Sequence, residues 1–320
     1  MLFRYLQTAA AGGLALLFAA AAPGEEAKRR ILCADSSKGR IAIIDEAGKT
    51  EWEAKIGPLH DCHLLPNGNV LFQTNWTRIV EMDPKTNKIV WEYDCGKSNG
   101  NEGKPLEVHA FQRLENGSTM IAESGVSRII EVDAAGKIEH EIKLKVKHSH
   151  PHTDTRLVRK TKAGTYLVCH EAEGIVREYN AQGETVWEFE VPLFDKAPAG
   201  GHGVEGFGNK CFSALRLENG NTLIGTGNGH SVLEVTPQKK IVWSLHQNDL
   251  PSIQFAWVTT VQVLPSGNIV IGNCHAGKAN PQVVEVSRDK QVVWKFHDFE
   301  RFGDAFTNTQ VLAVEGKPLP

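Results

Sequence analysis

Short apolar runs separated by turn residues recur along most of the chain. Between residues 60 and 94 the runs are HDCHLL, NVLFQT, TRIVEM and KIVWEY, and two of the gaps contain PNG and PKTN. Runs of this length that are rich in Val, Ile and Leu are typical of β-strands, and Asn-Gly pairs are typical of tight turns. The pattern predicts four consecutive antiparallel strands in this segment.

The same four-run unit repeats along the chain. One phrase occurs as LLPNGNVLF, RLENGSTMI, RLENGNTLI and VLPSGNIVI, with a looser copy, RKTKAGTYLV. A second phrase, such as NKIVWEY or GETVWEF, brings a tryptophan-type position about every 40 to 55 residues. This position occurs at Trp52, Trp91, His140, Trp187, Trp243 and Trp294. Four-strand repeats of this length are typical of β-propeller blades, so we expect six blades.

The two ends of the repeat region complement each other. The first unit begins with RILCADSS, which matches a second strand, and it lacks an inner strand. The C-terminal run FTNTQVLAV matches an inner strand and has no blade of its own. Pairing of these two segments would close the ring and leave no open sheet edge. We therefore predict an all-β fold, a single six-bladed propeller over residues 30–320, in which the C-terminal strand closes the first blade.

The first 30 residues follow a different pattern. Arg4 precedes an Ala/Leu-rich stretch from Ala9 to Ala22, and small residues come before Pro23. This layout is typical of a secretory signal peptide, and a stretch of about 14 apolar residues is short for a membrane span. We predict a signal peptide at residues 1–22 and a linker at residues 23–29. The mature protein is expected to be exported, either periplasmic or secreted, with no membrane span.

The net charge and the cysteine spacing indicate which kinds of binding partner and covalent cross-link to expect. The chain has 35 Lys and Arg against 38 Asp and Glu, a net charge of −3, so nothing predicts a nucleic-acid surface. The six cysteines are scattered and form no CxxC pair. Export would permit disulfides, but the spacing leaves their pairing open. No segment specifies a protein partner.

Histidines recur at one position of the repeat. Five residues before the leucine that leads the first turn stand His60, His109 and His152 in three consecutive units, followed by Phe212, Thr259 and Thr307 in the other three. We call these six positions the column. Equivalent positions in neighbouring blades share height and orientation, so the three imidazoles should converge at the channel mouth. The long loops between blades open on the same face, and long loops on a rigid scaffold often carry sites.

The column allows three interpretations. His60, His109 and His152 together could bind a divalent metal such as Zn, Mn or Ca, which would polarise a carbonyl or activate a water molecule. Without a metal, one histidine could act as nucleophile or general base while the others stabilise an anion. The third interpretation is a polar channel lining without a catalytic task. A fourth catalytic candidate is His202, and the candidate supporting residues are Glu123, Asp154 and His170.

Several phrases resemble known propeller families. MDPKTNKIVWEYD and VDAAGKIEHEI resemble the quinoprotein (PQQ)-like repeat, and HDCHLLPNGNVL and VHAFQRLENGSTMI are more similar to arylsulfotransferase-like propellers over about residues 31–314. The latter resemblance implies six blades, export and a channel histidine that carries sulfate with the help of an arginine. The matching positions are His60, His109 and His152, and the column itself holds no arginine. Quinoprotein dehydrogenases have eight blades and an adjacent cysteine pair, so PQQ is not expected here.

We expect an exported, metal-assisted enzyme of lyase or hydrolase type that acts on a small polar or glycan-like substrate. Three-histidine metal sites in the propeller channels of lyases are an analogy at the level of the fold. Sulfuryl transfer through a channel histidine and a non-catalytic ligand- or protein-binding propeller are the alternatives. An enzyme requires ionisable groups that converge in a pocket, whereas a binding scaffold would expose an apolar patch.

Overall fold

The structure is a computed structural model that describes residues 28–319. The predicted signal peptide at residues 1–22 and most of the predicted linker lie outside the described residues. Within residues 28–319 the only helical element is the 3-10 turn Cys95–Lys97. The described part contains no helix that is long and apolar enough to cross a membrane.

Six antiparallel sheets form the six blades of a propeller ring. Blade 1 contains β1 (Arg29–Asp35), β2 (Arg40–Ile44) and β3 (Thr50–Lys55). Blade 2 contains β4 (Cys62–Leu64), β5 (Val70–Gln73), β6 (Arg78–Asp83) and β7 (Lys88–Asp94). Blade 3 contains β8 (Glu107–Arg113), β9 (Thr119–Ser124), β10 (Arg128–Val132) and β11 (Ile138–Lys143).

The remaining blades repeat this order. Blade 4 contains β12 (Val158–Lys160), β13 (Tyr166–His170), β14 (Ile175–Tyr179) and β15 (Thr185–Glu190). Blade 5 contains β16 (Ser213–Arg216), β17 (Thr222–Gly225), β18 (Val232–Val235) and β19 (Ile241–Leu245). Blade 6 contains β20 (Trp257–Val263), β21 (Ile269–Cys274), β22 (Val283–Val286) and β23 (Val292–Phe296).

The C-terminal strand closes the ring as predicted. Strand β24 (Phe306–Val314) pairs antiparallel with β1, with Thr309 opposite Cys33, and is followed by the short β25 (Lys317–Pro318). It takes the inner place that the first repeat lacks, so blade 1 combines both ends of the described chain. The predicted six-bladed all-β architecture is confirmed.

The hydrophobic core lies between neighbouring blades. In one cluster Leu32 and Ile41 of blade 1 pack against Phe72 and Val80 of blade 2, and all four side chains are fully buried. Every residue of the second strands β5, β13 and β21 is buried. A strand that is covered on both faces has no need to alternate polar and apolar positions. This explains why the sequence shows continuous apolar runs.

In three blades the repeated tryptophan links the outer strand to a backbone oxygen of the next blade. The indole N–H groups of Trp91, Trp187 and Trp243 donate to backbone oxygens in the following blade, at 3.1, 3.1 and 2.8 Å. Blade 3 has His140 at this position, and its buried Nε2 has no hydrogen-bond partner. The hydrogen bond to the next blade is therefore made in some repeats and is absent at His140.

Candidate active site

β-bulges turn the column residues toward the channel. The pairing of β8 with β9 shifts register between Val108 and Ala110, so His109 has no partner residue on β9. The pairing of β20 with β21 shifts in the same way at Thr259, and that of β1 with β24 shifts at Thr307. A bulge re-aims the side chain of its extra residue. Three of the six column positions are therefore associated with a β-bulge.

The structure brings the three column histidines together. The Nδ1 atoms of His60 and His109 are 2.9 Å apart. The ring centre of His152 lies 5.4 Å from that of His109 and 6.0 Å from that of His60. The indole of Trp76 packs edge-on against all three rings, with centroids 5.0, 5.2 and 5.4 Å away. Three blades thus contribute one imidazole each to a single cluster.

Glu107 joins two of these histidines. Its Oε2 lies 2.7 Å from Nδ1 of His152 and 3.3 Å from Nε2 of His109. No repeated pattern in the sequence singles out this residue. The only signal is its position two residues before His109 in the same strand. The four residues His60, Glu107, His109 and His152 are called the acid–base cluster below.

One potential metal-binding group lies within the acid–base cluster. Glu107, His109 and His152 can each offer one ligand atom, and these atoms lie within 4.8 Å of one another. The group differs from the three histidines expected from the sequence, because His60 turns its Nδ1 toward Nδ1 of His109. Two imidazoles and one carboxylate suit Zn or Mn, whereas Ca prefers six to eight oxygen ligands.

Hydrogen bonds determine where the protons lie in the acid–base cluster when no metal is bound. Nε2 of His109 faces the carbonyl oxygen of Pro151 at 3.1 Å as well as Glu107, and both partners are acceptors. Nε2 of a neutral His109 therefore carries its proton, and its bare Nδ1 accepts from Nδ1 of His60. This tautomer leaves Nε2 of His60 with a free lone pair.

The surroundings keep these imidazoles neutral. Burial lowers the pKa of His60 well below its usual value, and the positive charge of Arg156 lowers it further. Burial and Arg156 also lower the pKa of His109, to about 4, although Glu107 opposes the shift. Burial raises the pKa of Glu107, but hydrogen bonds from His109 and His152 outweigh this effect and bring it to about 2. The cluster thus combines the neutral imidazoles of His60 and His109 with the ionised carboxylate of Glu107 near neutral pH.

Two buried amides hold the backbone of His60. Oε1 of Gln73 accepts from the backbone N–H of His60 at 3.1 Å, and its Nε2 donates to the carbonyl oxygen of Val108 at 2.5 Å. Nδ2 of Asn308 donates to the carbonyl oxygen of His60 at 3.0 Å. Gln73 therefore ties His60 to the residue that precedes His109, which sets the spacing of the two imidazoles.

A cavity of about 190 Å³ opens beside the acid–base cluster. Its lining includes five of the six column positions and several other ionisable groups, namely His60, His152, Thr153, Arg156, Glu171, His202, Lys210, Phe212, Trp257, Thr259, Cys274, His275 and Thr307. The cavity lies at the channel mouth, on the face of the long loops. The column therefore marks a pocket as well as a cluster.

The pocket contains the arginine that the column lacks. Arg156 forms a buried ion pair with Glu171 and donates to the carbonyl oxygen of His152. Burial lowers the pKa of Arg156 and raises the pKa of Glu171, and the attraction between the two charges opposes both shifts. The repeat pattern does not predict Arg156, because this residue lies between the column and β12, where alignment of the repeats gives no indication of side-chain direction.

His202 lies on a different wall of the cavity from the acid–base cluster. Its ring stacks on Trp257, with centroids 5.2 Å apart, and lies 5.5 Å from the ring of His275. His202, Trp257 and His275 all line the same cavity as His60 and His152. The long loop between blades 4 and 5 thus supplies a pocket residue, although no contact joins His202 to the three column histidines.

The three predicted supporting residues do not contact the imidazoles of the acid–base cluster. Glu123 is buried and accepts hydrogen bonds from Arg128 and Asn101. His170 lies between the carbonyl oxygen of Asp154 and the hydroxyl of Tyr179, at 2.9 Å from each. The carboxylate of Asp154 accepts from the backbone N–H of Gly125 and the hydroxyl of Ser127 in the β9–β10 turn, and from the hydroxyl of Ser149 in the loop that carries His152. Only Asp154 therefore supports the cluster, through the backbone.

The architecture and the repeats define a PQQ-like repeat β-propeller with an ionisable pocket at one channel mouth. The family model described as "Outer membrane protein assembly factor BamB" (PQQ_2) matches residues 32–296. This chain belongs to that family. The predicted resemblance to PQQ-like repeats is confirmed. No curated protein matches the chain.

Solved structures of similar fold include one protein of unknown function and two lyases. A protein of unknown function from Bacteroides caccae has a TM-score of 0.72 and 22% identity, over 88% of this chain and 98% of that one. A streptogramin B lyase has a TM-score of 0.55 and 12% identity, over 85% and 83% of the two chains. A catalytically inactive virginiamycin B lyase from Staphylococcus aureus, solved with quinupristin, has a TM-score of 0.56 and 12% identity, over 88% of each chain. These similarities concern the fold.

Proposed function

We propose that this chain is an exported acid–base enzyme of lyase or hydrolase type that uses a divalent metal ion and acts on a small polar or glycan-like substrate. The observation that carries the proposal is Glu107, whose carboxylate lies within hydrogen-bonding reach of imidazoles from two different blades. Converging ionisable groups beside a cavity are what an enzyme of this kind requires. The similar fold of two lyases agrees with the reaction class.

Glu107, His109 and His152 would hold the metal ion. When bound, a Zn or Mn ion acts as a Lewis acid and lowers the pKa of a coordinated water. Ligation through Nε2 of His109 requires that its proton reside on Nδ1, which then donates to Nδ1 of His60. His60 in turn carries its proton on Nε2 and can donate a hydrogen bond from it to a substrate in the cavity. The same histidine is thus a hydrogen-bond donor to the substrate when the metal is bound.

The test is metal analysis of the purified mature protein by mass spectrometry. We expect close to one Zn or Mn per chain, and an affinity loss of at least about ten-fold in Glu107→Gln and His152→Ala. Matched controls are Glu102→Gln and His148→Ala, which replace exposed residues of the same types nearby. Wild-type protein without bound metal, or Glu107→Gln protein that retains it as tightly as Glu102→Gln, would refute the metal site.

A metal-free function is favoured by the tautomer described above. With the proton of His109 on Nε2, Nε2 of His60 has a free lone pair and the positive Arg156 nearby. It could act as general base or as the nucleophile of an arylsulfotransferase-like transfer. Hydrolysis or transfer of 4-nitrophenyl sulfate that survives removal of metal by chelator, and is lost in His60→Gln, would identify this alternative.

Exposed apolar side chains favour a binding function as a further candidate. The outer strands of blades 2, 4, 5 and 6 expose Val90, Val186, Val242 and Val293 at equivalent repeat positions. Such residues are spread around the rim instead of forming one patch, which is why the enzyme proposal comes first. Replacement of Val90 and Val242 by aspartate should leave catalytic activity unchanged if the protein is an enzyme. The same replacement should disrupt a complex if the protein binds a partner through the rim.

Export rests on the N-terminal pattern and agrees with the name of the matched family, which refers to the outer membrane. Expression of the full chain followed by N-terminal sequencing of the exported fraction tests it. We expect a mature protein that begins close to residue 23. Retention in the cytoplasm with an intact N-terminus would contradict export.

A further inference from the structure

The charges that line the cavity do not balance. Arg156 and Lys210 are fixed cations, and Glu171 is the single carboxylate among the lining residues described. Glu171 is engaged with Arg156 in a buried ion pair. The carboxylate of Glu107 is not part of this lining and is held by His109 and His152. The permanently charged side chains of the cavity wall therefore sum to an excess positive charge.

Lys210 supplies the excess charge. No carboxylate within residues 28–319 lies within ion-pair distance of its ammonium group, which interacts with the charge of Glu171 at longer range and lies 5.9 Å from the ring centre of Trp257. The backbone of Lys210 is firmly held, because its N–H donates to Oδ1 of Asn228 at 2.9 Å. Its carbonyl oxygen packs against Gly227, where any Cβ would lie 1.9 Å from that oxygen. The chain thus holds a lysine beside the cavity without a direct ion pair.

The lining also contains hydroxyl groups without hydrogen-bond partners. Thr259 and Thr307 occupy the column positions of blades 6 and 1, and they are 1% and 6% exposed. Their Oγ1 atoms are buried and make no hydrogen bond in the structure. Buried hydroxyls without partners are costly, so a polar group that reaches them gains free energy on binding. These two residues complete a lining of cations and hydroxyl donors.

We infer that the substrate carries an oxyanion group, such as a carboxylate, sulfate or phosphate, that binds between Arg156 and Lys210 within reach of the acid–base cluster. This inference deepens the proposed function and rests on it for the reaction. The cavity of about 190 Å³ has the volume of about six water molecules. It suits a single anionic group with a few attached carbons. An anion held there lies beside His60, which also lines the cavity.

Calorimetric titration with succinate and with the neutral succinamide tests the inference, because the two probes match in shape. We expect succinate to bind at least ten-fold more tightly than succinamide, with an affinity that falls as NaCl is raised. Sulfate and phosphate are titrated in parallel to determine which oxyanion is preferred. Lys210→Met should lower the affinity at least ten-fold, and the control Lys55→Met, at an exposed lysine of β3, should not.

Titration of the Glu107→Gln variant separates this inference from the metal proposal. Succinate binding that persists in this variant supports the oxyanion site, whatever the metal content. Binding that disappears with the metal would assign the anion to the metal and overturn the inference. Equal affinity for succinate and succinamide, no binding of any of the three anions, or full affinity in Lys210→Met would overturn it as well.

Discussion

At the scale of single residues, the channel mouth depends on buried polar groups whose hydrogen bonds are specific. The amide of Gln73 links the backbone N–H of His60 to the carbonyl oxygen of Val108, the residue before His109. The carboxylate of Glu107 links the imidazoles of His109 and His152. Each amide or carboxylate serves two partners in different blades. Such doubly engaged groups position side chains more precisely than packing alone, since the loss of either partner leaves a buried polar atom unsatisfied.

His170 should make the protein sensitive to acid. Burial lowers its pKa to about 4, and the charge of Arg177 contributes to the shift. The unfolded chain binds a proton at a pKa near 6.5, so stability is fully present above pH 6.5 and is lost as the pH falls from 6.5 toward 4. The shift corresponds to a loss on the order of 3 kcal/mol.

Urea unfolding at pH 7 and pH 4.5 measures this effect. The His170→Gln variant, which cannot titrate at this position, should lose less free energy of unfolding between the two pH values than the wild type. The exposed His148 provides the control, because His148→Ala should keep the wild-type sensitivity. An identical acid sensitivity in wild type and His170→Gln would contradict the assignment.

At the scale of elements, the blades are joined by the outer-strand tryptophans as well as by the apolar core. The indole of Trp243 donates to the carbonyl oxygen of Arg288 in blade 6, and the guanidinium of that arginine lies 5.0 Å from the ring centre. Trp294 occupies the same repeat position in blade 6, and its indole N–H makes no hydrogen bond among the described residues. The two tryptophans thus provide a matched pair.

Trp243→Phe should lower the free energy of unfolding by about 0.5–1.5 kcal/mol more than Trp294→Phe does. The reason is that both changes keep an aromatic ring, but only the first removes an interblade hydrogen bond. Chemical denaturation monitored by circular dichroism gives the two values. Equal losses would show that the hydrogen bond contributes nothing measurable and that the tryptophans act through packing alone.

At the scale of the whole molecule, the ring depends on β24. Phe306, Val311 and Leu312 of this strand are buried, and the strand fills the inner place of blade 1. Truncation of a large buried side chain costs about 2–5 kcal/mol, and the net stability of a domain is about 5–15 kcal/mol. A chain that ends at residue 305 should therefore lose cooperative unfolding, while a chain that ends at residue 316 should keep it. Cooperative unfolding of the shorter chain would refute closure as the basis of stability.

Repeat periodicity sufficed to predict the architecture, because the same pattern of strands and turns recurs in every blade. An ambiguous strand in one repeat can therefore be assigned from the equivalent strands of the others. The convergence of His60, His109 and His152 followed from the same periodicity. The periodicity did not predict Glu107 and Arg156, because no other repeat has the same residue at the equivalent position. The bulge at His109 and the loop before β12 determine where their neighbours point, and single-sequence patterns do not indicate such local geometry.

The central claim is that Glu107, His109 and His152 hold a divalent metal ion beside the cavity. X-ray absorption spectroscopy of the purified protein loaded with Zn²⁺ tests it most directly, because the six buried cysteines offer a sulfur alternative that the spectrum distinguishes. The account predicts a nitrogen and oxygen shell that includes two imidazoles, with Zn–N distances of about 2.0–2.1 Å. A shell that contains sulfur, a shell without imidazole, or a spectrum unchanged by Glu107→Gln would contradict it.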